Sequence, residues 1–131
     1  MSIDLAVSDA VDSLLAKVKS MPQVECPEEN FFGPSIYIKQ VIMPAGAVIV
    51  GKSHKLPHLC NMVSGRMIIV DSEGNKKELV APITFMAPAG RKVAYIIETV
   101  VFQNIFSTDE TDIEKLENMY IDNSDSLLEG K

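Results

Sequence analysis

Tryptophan is absent from this sequence of 131 residues, and cysteine and histidine occur only twice each. The two cysteines, Cys26 and Cys60, lie far apart in the chain and form no CxxC pair. Disulfides are rare in the reducing cytosol and common outside it. We therefore expect Cys26 and Cys60 to be two reduced thiols in a cytosolic protein.

Positive charge is also scarce. The chain has 12 basic residues against 18 acidic ones, a net charge of −6, and a pI of about 4.8. This balance argues against binding to nucleic acid, which draws on clustered Lys and Arg, and against anionic membrane surfaces. No apolar run reaches the roughly 18 residues that span a bilayer, and the first residues lack the basic leader and apolar core of a signal peptide. We therefore expect a cytoplasmic protein.

The chain does have enough apolar residues, at 47%, for one packed domain. Residues 1–34 read as an N-terminal helix with an extended connector, residues 35–106 as a β-domain, and residues 107–131 as a C-terminal helix with a polar tail. The helix, predicted for residues 3–19, has a stripe at helical spacing. The stripe consists of Ile3, Val7, Ala10, Val11, Leu14, Leu15 and Val18. It would either pack on the β-domain or dock on another subunit.

Residues 21–34 form the predicted connector, because three prolines and several acidic residues favour extended, solvated chain. Phe31 and Phe32 are expected in the core below the β-domain, since large aromatic side chains are usually buried. After the β-domain, the sequence has two consecutive candidate capping boxes, which begin at Ser107 and at Thr111. We place the start of the C-terminal helix at one of these two. Its narrow apolar stripe consists of Ile113, Leu116, Met119 and Tyr120.

Short segments with strand character follow one another between residues 35 and 106. Glycine and proline turns separate them, with a tight turn expected at Ser64-Gly65 and a corner at Glu98-Thr99. The predicted strands are 36–43, 47–50, 58–63, 66–70, 76–80, 82–86, 93–97 and 100–106. Short strands at this spacing are typical of a β-sandwich or a closed β-barrel.

Both histidines lie in the stretch from Gly46 to Gly65. Lys52 and His54 are two residues apart, so on a strand their side chains point to the same face. His58 follows after Pro57. A lysine and two histidines on neighbouring apolar strands would form the floor of a site.

The spacing of these residues resembles the first sequence motif of the cupin superfamily. That motif is Gly, five residues, His-x-His, three or four residues, Glu, six residues, Gly, and it falls here on Gly46, Lys52, His54, His58 and Gly65 without a gap. Lys52 stands where the first metal-binding histidine would be, and His54 keeps the second. His58 takes the place of the glutamate.

The second cupin motif keeps its centre here, at Pro88-Ala89-Gly90. Pro82 stands at its first glycine, Val93 at its metal-binding histidine and Ile97 at its asparagine. The resemblance covers roughly residues 36–106 and implies a single-domain, mainly β, cupin-like β-barrel (jelly roll) with a helix at each end. The segments "MPAGAVIVGKSHK", "SGRMIIVDSEGNKKELVAPITFMAPAG" and "STDETDIEKLE" resemble small cupin-like proteins of tailed bacteriophages.

The chemistry of the predicted site leaves three uses open. His54 and His58 could bind a divalent transition metal, with an amide oxygen from Asn61, Gln103 or Asn104, or they form a polar pair without metal. A catalytic metal site usually has three protein ligands, and a lysine nearby repels a cation. Alternatively, Lys52 and His54 would bind a small anion, with Arg91 and Lys92 at the mouth. The third use is nucleophilic catalysis, with Cys60 as a nucleophile beside His58.

Two classes of function follow from this sequence. The first is a non-catalytic accessory or structural protein without a cofactor, encoded by a phage and located in the host cytoplasm or the virion. It would assemble with itself, as a dimer or higher oligomer, or with a larger particle. The second is a metal-dependent cupin enzyme of the dioxygenase or isomerase type, acting on a small molecule with His54 and His58 as metal ligands. The predicted ligand-binding residues are Lys52, His54, His58, Asn61 and Gln103.

Overall fold

The structure is a computed structural model that describes residue 24, residues 26–71 and residues 73–122. Within these residues the chain is mainly β, with one α-helix. The elements are β1 (Glu28–Gly33), β2 (Ile36–Met43), β3 (Val48–Val50), β4 (His58–Val70), β5 (Lys76–Val80), β6 (Ile83–Ala87), β7 (Val93–Phe106) and α1 (Ile113–Tyr120). The helix predicted for residues 3–19 and the tail predicted for residues 123–131 lie outside the described part.

All strand pairs are antiparallel, and β4 and β7 hold the sheet together. The main strand order is β1-β2-β7-β4-β5, with β3 paired to β7 and β6 paired to β4. The first half-sheet consists of residues 58–64 of β4 and residues 100–106 of β7, which pair with each other, together with the strands β6, β2 and β1. The second half-sheet consists of residues 66–70 of β4 and residues 93–98 of β7, which pair with each other, together with the strands β5 and β3.

The tight turn predicted at Ser64-Gly65 is wrong, because β4 runs through these residues without a break. The pairing register of β4 and β7 shifts on both sides of Ser64, as in a β-bulge. Gly65 has a φ of +100°, and an added Cβ there would lie 2.3 Å from the carbonyl oxygen of Thr99. The glycine therefore marks a bulge against β7. The corner predicted at Glu98-Thr99 is likewise absent, since β7 is continuous there.

The two half-sheets enclose the core, but the predicted barrel is not closed, because β1 and β5 end the main strand order of the described chain. The largest apolar cluster consists of Met43, Ala47, Met62, Met67, Leu79, Ala94, Ile96 and Val100. These residues come from both half-sheets. A second cluster of Tyr37, Phe106 and Leu116 joins α1 to β2 and β7.

The first strand corrects the predicted connector. Glu28–Gly33 pairs along its whole length with β2, so the sheet begins before residue 35. Phe31 and Phe32 are 42% and 45% exposed, so the expectation that both lie in the core is wrong. The reason is that β1 is an edge strand, which among the described elements is paired on one side alone.

The C-terminal helix α1 begins close to the later of the two predicted starts, with its N-cap one residue after Thr111. Its N-cap is Asp112, whose carboxylate accepts hydrogen bonds from the backbone amides of Glu114 and Lys115. Residues 107–112 are not helical, so the start predicted at Ser107 is wrong. Of the predicted stripe, Leu116 is buried, and Tyr120 packs beside it.

Candidate functional site

A cavity of about 300 Å³ lies between the two half-sheets, with α1 forming part of its wall. This volume is at the lower end of the roughly 300–1,000 Å³ that small-molecule sites occupy. Most of its lining is apolar, and the polar groups are few. They include the three residues predicted from the cupin-like spacing, Lys52, His54 and His58, so the structure brings these together.

His58 is held at the start of β4 by partners on two strands. Side chains two apart on a strand share a face, so His58 and Cys60 both point inward and are both buried. Nε2 of His58 lies 2.8 Å from Oδ1 of Asn104 and 3.3 Å from Sγ of Cys60. Asn104 donates from Nδ2 to the carbonyl oxygen of Lys39, which leaves Oδ1 to accept from Nε2–H of His58. Burial lowers the pKa of His58.

His54 lies in the segment between β3 and β4 and stacks on His58. The ring centroids are 4.3 Å apart, and the ring planes differ by 27°. The backbone of His54 bridges to Gly90 and to Ile121, which follows α1. Burial, together with the nearby His58, Lys92 and Lys39, lowers the pKa of His54 to about 4. At neutral pH this imidazole is therefore uncharged.

The two histidines do not form a site that fits a divalent metal ion. Imidazole lone pairs lie in the ring plane, so two nearly parallel stacked rings do not direct them at one point. Nε2 of His58 is also engaged with Asn104. Within the described ranges, no group of three or more His, Cys, Asp or Glu side chains is arranged to hold a metal ion. Catalytic metal sites need about three such ligands.

Cys60 is a weak candidate for a nucleophile because burial raises the pKa of its thiol to about 12. The thiolate is the nucleophilic form, so the thiol is unreactive at neutral pH. Cys60 and Cys26 are both free cysteines. The proximity of Cys60 to His58 is therefore a packing contact in the cavity wall.

The lysines of the cavity differ in their roles. Lys52 lies exposed at the rim, where its Nζ is 3.2 Å from Oε1 of Glu117 on α1. Lys39 on β2 reaches the same carboxylate, at 3.4 Å. Both lysines lower the pKa of Glu117, against the raising effect of burial. These two ion pairs connect α1 to the cavity rim.

Lys92, the third lysine of the cavity, is half-buried and comes immediately before β7. Its Nζ donates to the carbonyl oxygen of Pro88 at 2.6 Å. Burial lowers its pKa, while Cys60 and Asp71 oppose this change. Arg91 and Lys92 were predicted at the mouth of the site, and of these two Lys92 lines the cavity.

Asn61 and Gln103, predicted as ligand-binding residues, lie on the opposite face of the sheet from the histidines. Nδ2 of Asn61 donates to Oε1 of Gln103 at 3.3 Å, and Nε2 of Gln103 donates to Oε1 of Gln40 at 2.8 Å. The amide that faces the cavity is Asn104, the next residue along β7. The signal for this was the period-two alternation of β7, which puts Asn104 on the same face as the buried Val100.

The cavity is also lined by Glu117, Phe106 and Tyr120, which were not predicted from the sequence. Phe106 stacks on His58 with a centroid distance of 5.0 Å and on Tyr120 at 4.2 Å. Phe106 was detectable by the same alternation as Asn104. Glu117 and Tyr120 were not, because α1 is separated from the histidines by more than fifty residues and no local pattern indicates where it packs.

No protein-family model matches the sequence, and no curated protein sequence matches it either. Solved structures do match. KdgF from Halomonas sp. is 22% identical, with a TM-score of 0.53 over 70% of this chain and 90% of that one. A cupin superfamily protein from Desulfitobacterium hafniense is 15% identical, with a TM-score of 0.52 over 72% of this chain and 88% of that one.

The DMSP lyase DddQ from Ruegeria pomeroyi is 14% identical, with a TM-score of 0.55 over 66% of this chain and 49% of that one. The described part of the chain has no helix long and apolar enough to cross a membrane. At such identities the structural likeness establishes the fold alone. It confirms part of the fold that the motif spacing implied: this chain is mainly β and has the double-stranded β-helix fold of the cupin proteins, although the sheet of the described residues is not closed.

Proposed function

We propose that this chain is a non-catalytic cupin-fold protein that binds a small anionic molecule in its cavity without a metal ion. The observation that carries the proposal is the half-buried ammonium group of Lys92 in a mostly apolar cavity that also holds two imidazoles. A few polar groups converging in an apolar cavity are the usual form of a small-molecule site.

The charges of the cavity favour an anion. Its lining includes Lys39, Lys52 and Lys92 against Glu28 and Glu117, whereas the whole chain has a net charge of −6. Glu117 is engaged by Lys39 and Lys52. An ammonium group has three N–H donors, so Lys92 can bind a carboxylate while it keeps its bond to Pro88. A hydrogen bond to a charged group is stronger in such a site than in water.

The same groups are poorly suited to catalysis. A general base works best when its pKa is near the working pH, and the pKa of His54 is about 4. The thiol of Cys60 has a pKa of about 12 and stays protonated. His54 and His58 are neutral hydrogen-bonding groups in this proposal, with His58 oriented by Asn104.

A benzoate titration followed by amide NMR shifts tests the proposal. We expect benzoate to shift amides of β4 and β7 beside the cavity, and neutral benzyl alcohol to have little effect. Lys92→Met should weaken benzoate binding at least about tenfold, the size expected from losing one charge-assisted hydrogen bond. The matched control is Lys77→Met, which removes an exposed lysine on β5. Equal affinity of benzoate for the native chain and Lys92→Met would contradict the proposal.

The second candidate is a metal-dependent enzyme that acts on a small molecule, with His54 and His58 as metal ligands. It is favoured by one observation, that a solved protein of similar fold is a DMSP lyase. Metal analysis of the same purified sample separates the two candidates. About one equivalent of iron, zinc, manganese or nickel that is lost on His54→Ala would favour the enzyme, and we expect none.

The more specific role, a phage-encoded accessory protein that assembles with itself or with a larger particle, stays a prediction. Its support is the resemblance of three segments of the sequence to small cupin-like phage proteins and the apolar stripe predicted in residues 3–19. Anion binding and assembly are compatible, since the cavity lies between the half-sheets and assembly would use the outside. Light scattering at micromolar concentration checks the predicted dimer.

A further inference from the structure

We propose that the outer face of the first half-sheet is a docking surface for residues 3–19 of the same chain, folded as an amphipathic helix. The sequence left two uses of that helix open, packing on its own domain or docking on another subunit. The structure now supplies a face whose composition, register and position fit the first use. This inference is independent of the proposed anion site, which lies on the inner side.

One row of apolar side chains crosses all five strands of this face. The strand register aligns Phe31 of β1 with Ile38 of β2, Ile38 with Ile105 of β7, Ile105 with Leu59 of β4, and Leu59 with Met86 of β6. Phe31, Leu59 and Met86 are 42%, 40% and 62% exposed. A contiguous exposed apolar row of this extent marks an interaction surface, whereas scattered apolar residues do not.

The next row on the same face is polar, and all its members except the exposed Glu29 at its β1 end are hydrogen-bonded to one another. Gln103 donates to Gln40 at 2.8 Å, Asn61 donates to Gln103 at 3.3 Å, and the hydroxyl of Thr84 donates to Asn61 at 3.3 Å. Covering a polar group is costly when it loses its partners. Because these side chains bond to one another, an apolar helix can cover part of the row at little cost. Beyond it, Ile42 and Val63 are again exposed.

The occupant is indicated by the chain that leads into this half-sheet. The carbonyl oxygen of Pro27 accepts a hydrogen bond from the amide of Ile42, and Glu28 then pairs with Val41. The described chain therefore enters this half-sheet at β1, one border of the docking surface, with Cys26 just before it packed at the cavity wall. The inner side of the same half-sheet faces the core, the cavity and α1, whereas its outer side carries the exposed apolar row, so we assign the helix to the outer side.

The dimensions agree. A helix of residues 3–19 is about 25 Å long at about 1.5 Å per residue. Five strands about 4.8 Å apart span about 19 Å. Cys26 packs against the core, so residues 20–25 are the chain available to join it to residue 19, and six residues reach up to about 20 Å when extended. The helix can thus lie across the strands without leaving its own subunit.

A second copy of the chain would be a less complete solution. Two docking surfaces that faced each other would leave the stripe of residues 3–19 without cover, with its seven apolar side chains. The intramolecular contact covers both apolar surfaces at once. A tether of a few residues also raises the effective concentration of the helix to the millimolar range.

Amide hydrogen exchange of the full chain tests the inference, with Met86→Glu as the variant. Met86 is 62% exposed, so a glutamate there leaves the core intact but places a charge in the docking surface. We expect residues 3–19 to exchange more slowly than an unstructured peptide, and Met86→Glu to speed their exchange at least tenfold, with β4 and β7 unchanged. The control is Tyr95→Glu, at an exposed aromatic residue of the second half-sheet, which should leave residues 3–19 protected.

The exchange is measured at two protein concentrations, with light scattering on the same samples. Protection of residues 3–19 that is independent of concentration and lost in Met86→Glu alone supports the inference. Protection that grows with concentration would overturn it in favour of docking on a second subunit. A dimer that Met86→Glu dissociates while residues 3–19 keep their protection would also overturn it, as would residues 3–19 without protection in the native chain.

Discussion

Phe106 is the residue through which the cavity, the sheet and α1 meet. Its ring lies 5.8 Å from that of Tyr37, 5.0 Å from that of His58 and 4.2 Å from that of Tyr120, measured between centroids. These partners belong to β2, β4 and α1, so one side chain at the end of β7 connects three other elements. Buried aromatic pairs contribute specific contact energy in addition to apolar burial.

We expect Phe106→Ala to lower the free energy of unfolding by about 3–5 kcal/mol, because the change leaves a cavity among rings that cannot collapse into it. Urea denaturation measures this loss. Tyr95→Ala is the matched control, since Tyr95 lies on the same strand but is 49% exposed, and it should cost about 0.5 kcal/mol or a little more. A similar loss in the two variants would mean that Phe106 does not have the central role described here.

The neighbouring amides Asn104 and Gln103 show that a shift of one residue along a strand decides which side chain faces the cavity. Both are amides on β7, and the sequence placed Gln103 in the ligand-binding set. A strand alternates its side chains between faces, so adjacent residues never share one. Asn104 reaches His58, and Gln103 belongs to the outer amide row. The sequence predicted an amide in the site, but which of the two amides faces the cavity depends on which face of β7 packs against the core.

Among the elements, β4 and β7 determine the architecture because both continue from one half-sheet into the other. The crossing point is where Gly65 of β4 contacts Thr99 and Val100 of β7. The positive φ of Gly65 and the close approach of two backbones both require a residue without Cβ. The bulge bends the paired strands, which allows the half-sheets to enclose a cavity.

Gly65→Ala and Gly46→Ala form a matched pair that separates the two requirements. Both glycines have positive φ, but a Cβ at Gly46 would have no atom within 4 Å, whereas one at Gly65 would overlap β7. We expect Gly46→Ala to cost about 1–2 kcal/mol from backbone strain and Gly65→Ala to cost about 1–3 kcal/mol more from overpacking. Chemical denaturation of both variants gives the difference, and equal costs would contradict the close approach at Gly65.

The strands were predictable where the signal was local. Turn residues on their flanks placed β2 and β5 at their observed bounds. Ser64-Gly65 was misread because a Ser-Gly pair in a turn and one in a bulge look alike without the partner strand. The strand β1 was missed because its sequence, EENFFG, is charged and follows prolines. Its pairing with β2 supplies the order that its composition does not.

For the molecule as a whole, the candidate site was predictable in part because the cupin-like spacing brings Lys52, His54 and His58 to one end of the cavity. The spacing did not predict how these groups act. The stacking of the histidines, the raised pKa of Cys60 and the contacts of Glu117 depend on burial and on α1. Such properties belong to the assembled fold, and no single stretch of sequence contains them.

The buried histidines should make the stability of the whole molecule depend on pH. The pKa of His54 is about 4 in the folded chain and about 6.5 when unfolded. Between these values the unfolded state binds the proton and the folded state does not. The contribution of His54 is therefore complete above about pH 6.5 and is lost as the pH falls towards 4. The lowered pKa of His58 acts in the same direction.

We expect the free energy of unfolding to fall by about 1–2 kcal/mol between pH 7 and pH 5, after allowance for partial exposure of His54 to solvent. The double variant His54→Gln/His58→Gln should lose most of this dependence and cost a few kcal/mol at most at pH 7, as buried polar changes typically do. Lys77→Gln, which alters an exposed charge and keeps both imidazoles, should retain the native slope. Urea denaturation at the two pH values measures all three proteins. A double variant with the native pH dependence would mean that groups other than the stacked histidines carry it.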